Sequence, residues 1–244
     1  MKTTRLFSMF MFISLFLGMS SLFASCNVIN GTRGDGNVLK EIRKVSSFDG
    51  IEVSGAFDVI IKQGTAEEVT VEADANLLPL IRTDVVSGTL RIDTRKPIHN
   101  VTVMKVYVTV KDLKKIDVSG AVDIHTDGRI TVPELSINAS GASESKFNIA
   151  VQKLELDCSG ASKMSFAGSA TDVEMDLSGA SDIFAYDMPA ENYDIEISGA
   201  GDAQINVSKR IHAEISGAGS VKYKGSPTDI DQSVSGAGSI KKVN

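Results

Sequence analysis

The chain has 244 residues, a formal charge of −6, 42% hydrophobic residues, no tryptophan and two cysteines. That length suits one substantial domain, and the acidic balance disfavours nucleic acid, whose phosphates need a basic face. With 6% aromatic residues, the core must be built from small and β-branched aliphatics.

Lys2 and Arg5 open the chain, Leu6 to Gly18 are almost wholly apolar, and small residues lead to Leu22-Phe23-Ala24-Ser25-Cys26. An apolar run this short, ending in small residues before a cysteine, reads as a signal peptide over residues 1–25 rather than a membrane span. The ending resembles a lipobox, which makes Cys26 the expected lipidation site and the mature N-terminus. Acyl chains anchor by about 0.8 kcal/mol per buried methylene. The expected location is therefore the cell envelope, as an outer-membrane lipoprotein, with the membrane as a partner through the lipid anchor. Loss of Lys2 and Arg5 takes the charge from −6 to −8, and Cys158 is left without an internal disulfide partner.

Residues 26–37, rich in Gly and Asn, read as a flexible tether. They include Arg33-Gly34-Asp35, the tripeptide of integrin ligands, but three-residue matches arise often by chance. The domain proper is expected over 38–244. Its first part, 38–115, contains strand-like runs at Phe57 to Ile61, Val69 to Val71, Thr89 to Ile92 and Val101 to Val110. A short helix over Asp74 to Val85, capped by Asp74 and interrupted by Pro79, is also expected. This part reads as wider, helix-capped coils of the stack that follows.

Over 116–244 a repeat takes precedence. Ser-Gly-Ala begins at Ser54, Ser119, Ser140, Ser159, Ser178, Ser198, Ser216 and Ser235, and from the second copy onward the steps are 21, 19, 19, 20, 18 and 19 residues. A fixed period of this size marks a solenoid. The residue before each serine is apolar: Val53, Val118, Ala139, Cys158, Leu177, Ile197, Ile215 and Val234. Two residues earlier, apolar side chains recur from Ile51 to Ala213, and the residues between are polar. This is the period-two alternation of a strand with one face inward. Three residues after each alanine the position is apolar except at Ser145. Each coil of about 19 residues is thus strand, tight corner, strand and variable return. Gly55, Gly120, Gly141, Gly160, Gly179, Gly199, Gly217 and Gly236 stack at the corners, where the backbone bends with no side chain to collide.

These corners, with the opening phrase Val45-Ser46-Ser47-Phe48-Asp49-Gly50-Ile51-Glu52-Val53-Ser54-Gly55, resemble the head GIN domain family, abundant in Bacteroidetes and labelled as autotransporter adhesins. The resemblance covers about Val38 to Ile240. It implies an all-β fold, a single-stranded right-handed parallel β-helix related in shape to pectin lyases. It brings no catalytic residues. The 244 residues hold no coiled-coil stalk and no C-terminal membrane barrel, so only the adhesin half of the label carries over as an expectation.

Acidic residues form an outward column before the corners: Glu52, Asp117, Asp157, Asp176, Glu196 and Glu214. Asp157, Asp176, Glu196 and Glu214 are the candidate binding ladder. Asp58, Asp123, Glu144, Asp182 and Asp202 form a second column after the corners. Stacked like charges repel, and bound cations could relieve them, but the nonapeptide of calcium-binding solenoids is absent; a solvated face is the competing reading. His99, His125 and His212 are scattered, without metal-ligand spacing or a nucleophile partner. Cys158 fills a core column as a buried, inert thiol.

Neither a catalytic site nor a cofactor or metal site is expected. The function expected is non-catalytic adhesion to a glycan or a surface protein, with self-association through the solenoid ends as a further partner mode. The alternatives are a polysaccharide lyase or hydrolase, which would need clustered Asp, Arg and Lys in a cleft, and a ligand-free envelope scaffold. Coil lengths of 18 to 21 break the six-residue register of left-handed acyltransferase helices.

Overall fold

The computed structural model describes residues 31–243, which are nearly all-β, strands joined by turns and bends with one 3₁₀ turn at Leu78–Leu80. The expected signal peptide and Cys26 lie outside the described residues. Parallel ladders bring the eight corners into register. Ser54 lies beside Ser119, and the column continues through Ser140, Ser159, Ser178, Ser198, Ser216 and Ser235. The strands after the corners stack in the same way, with Val59, Ile124, Ser145, Met164, Ile183, Ala203, Val221 and Ile240 in one column. The result is a β-solenoid.

The alternation read from the sequence sorts inside from outside. Ile51, Ile116, Ile137, Leu156, Met175, Ile195 and Ala213 are buried, and so are Val53, Val118, Ala139, Cys158, Leu177, Ile197 and Ile215. Ser145 points inward like its apolar neighbours, and its hydroxyl finds no hydrogen-bond partner. Stacking buries each coil against the next, as the last coil demonstrates. Ile230 and Val234 are 47% and 43% exposed, whereas Ile211 and Ile215, one coil below, are 1% and 2% exposed.

Each corner glycine has positive φ; at Gly179 it is +120°. A Cβ there would stand 2.5 Å from the Gly160 carbonyl oxygen. That same oxygen accepts the Ala180 N–H at 2.8 Å, so the ladder runs through the corner. A second close approach, missed in the sequence, lies at Gly168, where a Cβ would stand 1.9 Å from the Ile149 carbonyl oxygen.

The first part differs from expectation in three ways. Gly50–Gly55 and Asp58–Gln63 already belong to the regular stack, because they pair in parallel with Lys115–Gly120 and Asp123–Thr126. The residues between them and the next coil are part stack and part antiparallel cap: Thr89–Thr94 and Met104–Val110 lie parallel to Gly50–Gly55 and Asp58–Gln63, as an expected wider coil would, while the other strands fold back on them. Val38–Arg43 pairs with Glu68–Asp74, which pairs with Met104–Val110, and Ile81–Val86 forms a hairpin with Thr89–Thr94. Ser87 and Gly88 turn that hairpin at φ 52° and 81°, the positive angles that match the strand twist.

The expected helix over 74–85 shrinks to the turn Leu78–Leu80, and Asp74 does not cap it. Instead the Asp74 carboxylate accepts the backbone N–H of Gly36 at 2.7 Å and of Thr102 at 2.8 Å. The expected tether is therefore tied down over its described part. Thr32–Arg33 pairs with Ile98–His99, the Asn76 side chain bonds Arg33 O and Asp35 N, and a Cβ at Gly34 would meet Asp74 at 2.7 Å. Arg33-Gly34-Asp35 is thus part of the folded body.

Candidate functional site

Outward side chains of the strands that lead into the corners form parallel columns. Register puts Glu52, Asp117, Asn138, Asp157, Asp176, Glu196, Glu214 and Ser233 in a single file. A second file beside it runs Lys115, Ser136, Glu155, Glu174, Asp194, His212 and Asp231. Neighbouring positions along a file are about 4.8 Å apart, so the two files make one acidic face with the corner serines along its edge.

Neutralisation is uneven along this face. Glu52 meets Arg91 at 3.1 Å, and Asp117 meets Lys115 at 2.8 Å and accepts from the Asn138 amide at 2.7 Å. Lys153 pairs with Glu155 and, at 3.3 Å, with Glu174. These carboxylates hold its ammonium above the usual lysine range, the hydrogen bond to Glu155 leading. His212 lies between Asp231 at 3.1 Å and Glu214 at 3.5 Å. Among the described residues, Asp157, Asp176 and Glu196 have no ion-pair partner. A shallow hollow at the start of the face is lined by Glu52, Ser54, Asp117, Ser119, Asn138 and Asp157. Its chemistry is that of hydrogen-bond acceptors and hydroxyls, suited to holding a hydroxyl-rich surface.

The second expected acidic column is interrupted. Lys163 stands between Glu144 and Asp182, and Asp58 is met by Lys105 and His125, each at 2.9 Å. Opposite charges stacked in one file attract, so this column is not a like-charge ladder. No group of three or more His, Cys, Asp or Glu among the described residues could hold a metal ion. No described helix is long and apolar enough to cross a membrane. Cys158 is fully buried with its sulfur 3.8 Å from that of Met164, and burial pushes its thiol up to about 12.

Residues 47–227 match the protein family described as "Putative auto-transporter adhesin, head GIN domain". The chain belongs to the head GIN domain family. Among solved structures, it is similar to a "putative adhesin" of Bacteroides fragilis with 26% identity and a TM-score of 0.82, over 87% of this chain and 100% of that one. A "putative adhesin" of Parabacteroides distasonis gives 21% identity and a TM-score of 0.69, over 88% and 100%. A protein of the same organism described as a "putative lipid binding protein" gives 24% and 0.69, over 87% and 99%. No curated protein matches. The latter two likenesses carry the fold alone. The family label points to the cell surface or envelope.

Register thus brings together the four candidate ladder residues of this head GIN domain, and it gathers Glu155, Glu174 and Asp194 beside them, which the sequence reading left unassigned. The signal for these was present, since they precede the ladder residues by two and must share their face. Phe184 and Tyr186 were also passed over. Both are partly exposed, and the alternation Asp182-Ile183-Phe184-Ala185 puts Phe184 outward.

Proposed function

We propose that this head GIN domain protein is a non-catalytic envelope lipoprotein that binds a surface partner, a glycan or a protein, through the acidic face. The observation that carries the reading is the single file of Asp157, Asp176, Glu196 and Glu214 over four consecutive coils. Carboxylates at a fixed step accept hydrogen bonds from sugar hydroxyls or from backbone and side-chain donors. A rigid sheet presents them with little ordering left to lose on binding. The lipid at Cys26 holds this face at the outer membrane.

An array of glycans and extracellular proteins probed with the full chain in detergent tests the reading, with and without calcium. Retention on a defined set of spots is expected. It should weaken for the variant combining Asp157→Asn, Asp176→Asn, Glu196→Gln and Glu214→Gln. Release of shortened polysaccharide from a spot would replace binding with catalysis. For the anchor, metabolic labelling with a palmitate analogue should mark the wild type and not Cys26→Ser; equal labelling would remove the lipid from the account.

A further inference from the structure

One coil breaks the register of the stack. Against the preceding coil, Ser165 faces Phe184 but Ala167 faces Asp187. Against the following coil, Ala185 faces Ile205 and Pro189 faces Asn206, which leaves Tyr186, Asp187 and Met188 without counterparts. The other parallel ladders between described coils run without a shift. A bulge re-aims side chains. This one buries Met188 and leaves Tyr186 partly open and Asp187 exposed.

Phe184, just before the bulge, is partly open too, whereas Phe48, Phe57, Phe147 and Phe166 are all buried. Phe184 and Tyr186 line one open hollow with Asn148, Gln204, Asp187 and Lys146. The Lys163 ammonium stands 5.6 Å from the centre of the Phe184 ring, and that of Lys224 stands 4.4 Å from the centre of Tyr186. Lys222 follows Gln204 in the next coil. Among the described residues, Lys163, Lys222 and Lys224 form no ion pair, although most lysines of the preceding coils do. Lys163 lies in its file between Glu144 and Asp182, and Asp187 lines the hollow, whereas Lys222 and Lys224 have only Gln204, Asn206 and Lys241 beside them in their files, so the free cations gather at the Tyr186 end of the site.

We propose that this hollow, on the face beyond the Ser-Gly-Ala corner, binds a segment of acidic polysaccharide. A sugar ring stacks its C–H face on Phe184 and Tyr186, its hydroxyls exchange hydrogen bonds with Asn148 and Gln204, and its carboxylate or sulfate group meets Lys163 or Lys224. The lining favours a sugar over a peptide because rings alternate with amides and charges, and no aliphatic pocket waits for a side chain. The coil step of about 4.8 Å is close to the length of one pyranose residue, so a polymer running across the coils sets about one sugar on each, and the one on this coil meets the rings. The site is independent of the acidic ladder, whose charge is opposite.

The test is affinity electrophoresis of the full chain in detergent, through gels holding alginate, chondroitin sulfate or neutral dextran. Retardation by at least one of the anionic polymers and not by dextran is expected. The variant Phe184→Ala/Tyr186→Ala should lose about tenfold in affinity, the scale of truncating aromatic anchors. Lys163→Gln/Lys224→Gln should lose a similar factor and most of the salt dependence, and it decides the matter if the aromatic variant fails to fold. The ladder variant should bind the polymer as the wild type does, which separates this proposal from the function proposed above. Passage through all three gels unretarded, equal retardation by dextran, or undiminished binding by the lysine variant would overturn it.

Discussion

Gly179 shows how a single atom is excluded by the stack. At φ +120°, a side chain is strained before any neighbour is considered, and its Cβ would enter the carbonyl of Gly160 that holds the ladder together. Strain of about 1–3 kcal/mol and the loss of a ladder hydrogen bond, about 1 kcal/mol more, act together. Gly179→Val should therefore lower the melting temperature strongly. Glu196→Gln, exposed and outward, should stay within about 0.5 kcal/mol of wild type. Similar melting temperatures for the two would show that the corners do not stack. Cys158 gives a chemical counterpart. With its thiol pushed up to about 12 by burial, it should resist Ellman's reagent at pH 8 in the native protein and react once unfolded. The unfolded chain releases this proton near pH 9 and the folded chain does not. The stability linked to Cys158 is therefore fully present below pH 9 and is lost as the pH rises toward 12. Both residues were legible in the sequence, because a strict repeat assigns a corner and a core column by counting. Gly168 was not, since its close approach to Ile149 depends on how the variable return folds.

Local elements away from the repeat were less legible, and Asp74 is the reason in miniature. Its neighbours suggested a helix cap, but its partners lie at Gly36 and Thr102, far away in sequence. Alternation in Ile81-Arg82-Thr83-Asp84 then made a strand of what had read as helix. Asp74→Ala should release the segment from Thr32 to Asn37 without melting the solenoid. Amide exchange at Gly36 and Thr102 should accelerate while that of Ile195 and Ile197 stays slow. Exchange unchanged at Gly36 would show that other contacts hold the segment. The Thr102 N–H keeps the Asp74 carboxyl below its usual value of 3.8. Its contribution to stability is thus present above that value and fades as the pH falls through the lowered one, so the segment should loosen only in acid.

For the molecule as a whole, each coil contacts mainly its two neighbours, so stability should grow by the coil. Excising Gly160 to Ser178 joins Ser159 to Gly179 in register and removes 19 residues. The shortened chain should still fold cooperatively, with a smaller dependence of unfolding free energy on urea because less surface is exposed. A chain that stays unfolded would mean that the coils are not interchangeable units. The acidic face was legible at this scale because register turned a sequence period into a spatial file. The interruption by Lys163 was legible too, two residues after Ala161 in the repeat, but the bulge at Tyr186 was not, since it depends on which residue faces which across coils. Recognition by that file without turnover can be read as resistance to shear. Beads carrying the full chain through its N-terminus are allowed to settle on the glycan or protein spots that retain it, and the flow needed to remove them is measured. Neutralising Asp157, Asp176, Glu196 and Glu214 should lower that flow while the melting temperature holds and any bound polymer is recovered at its original length. Equal attachment by the neutralised variant would clear the file of any role in binding, and shortened polymer beneath the wild type would make the protein an enzyme.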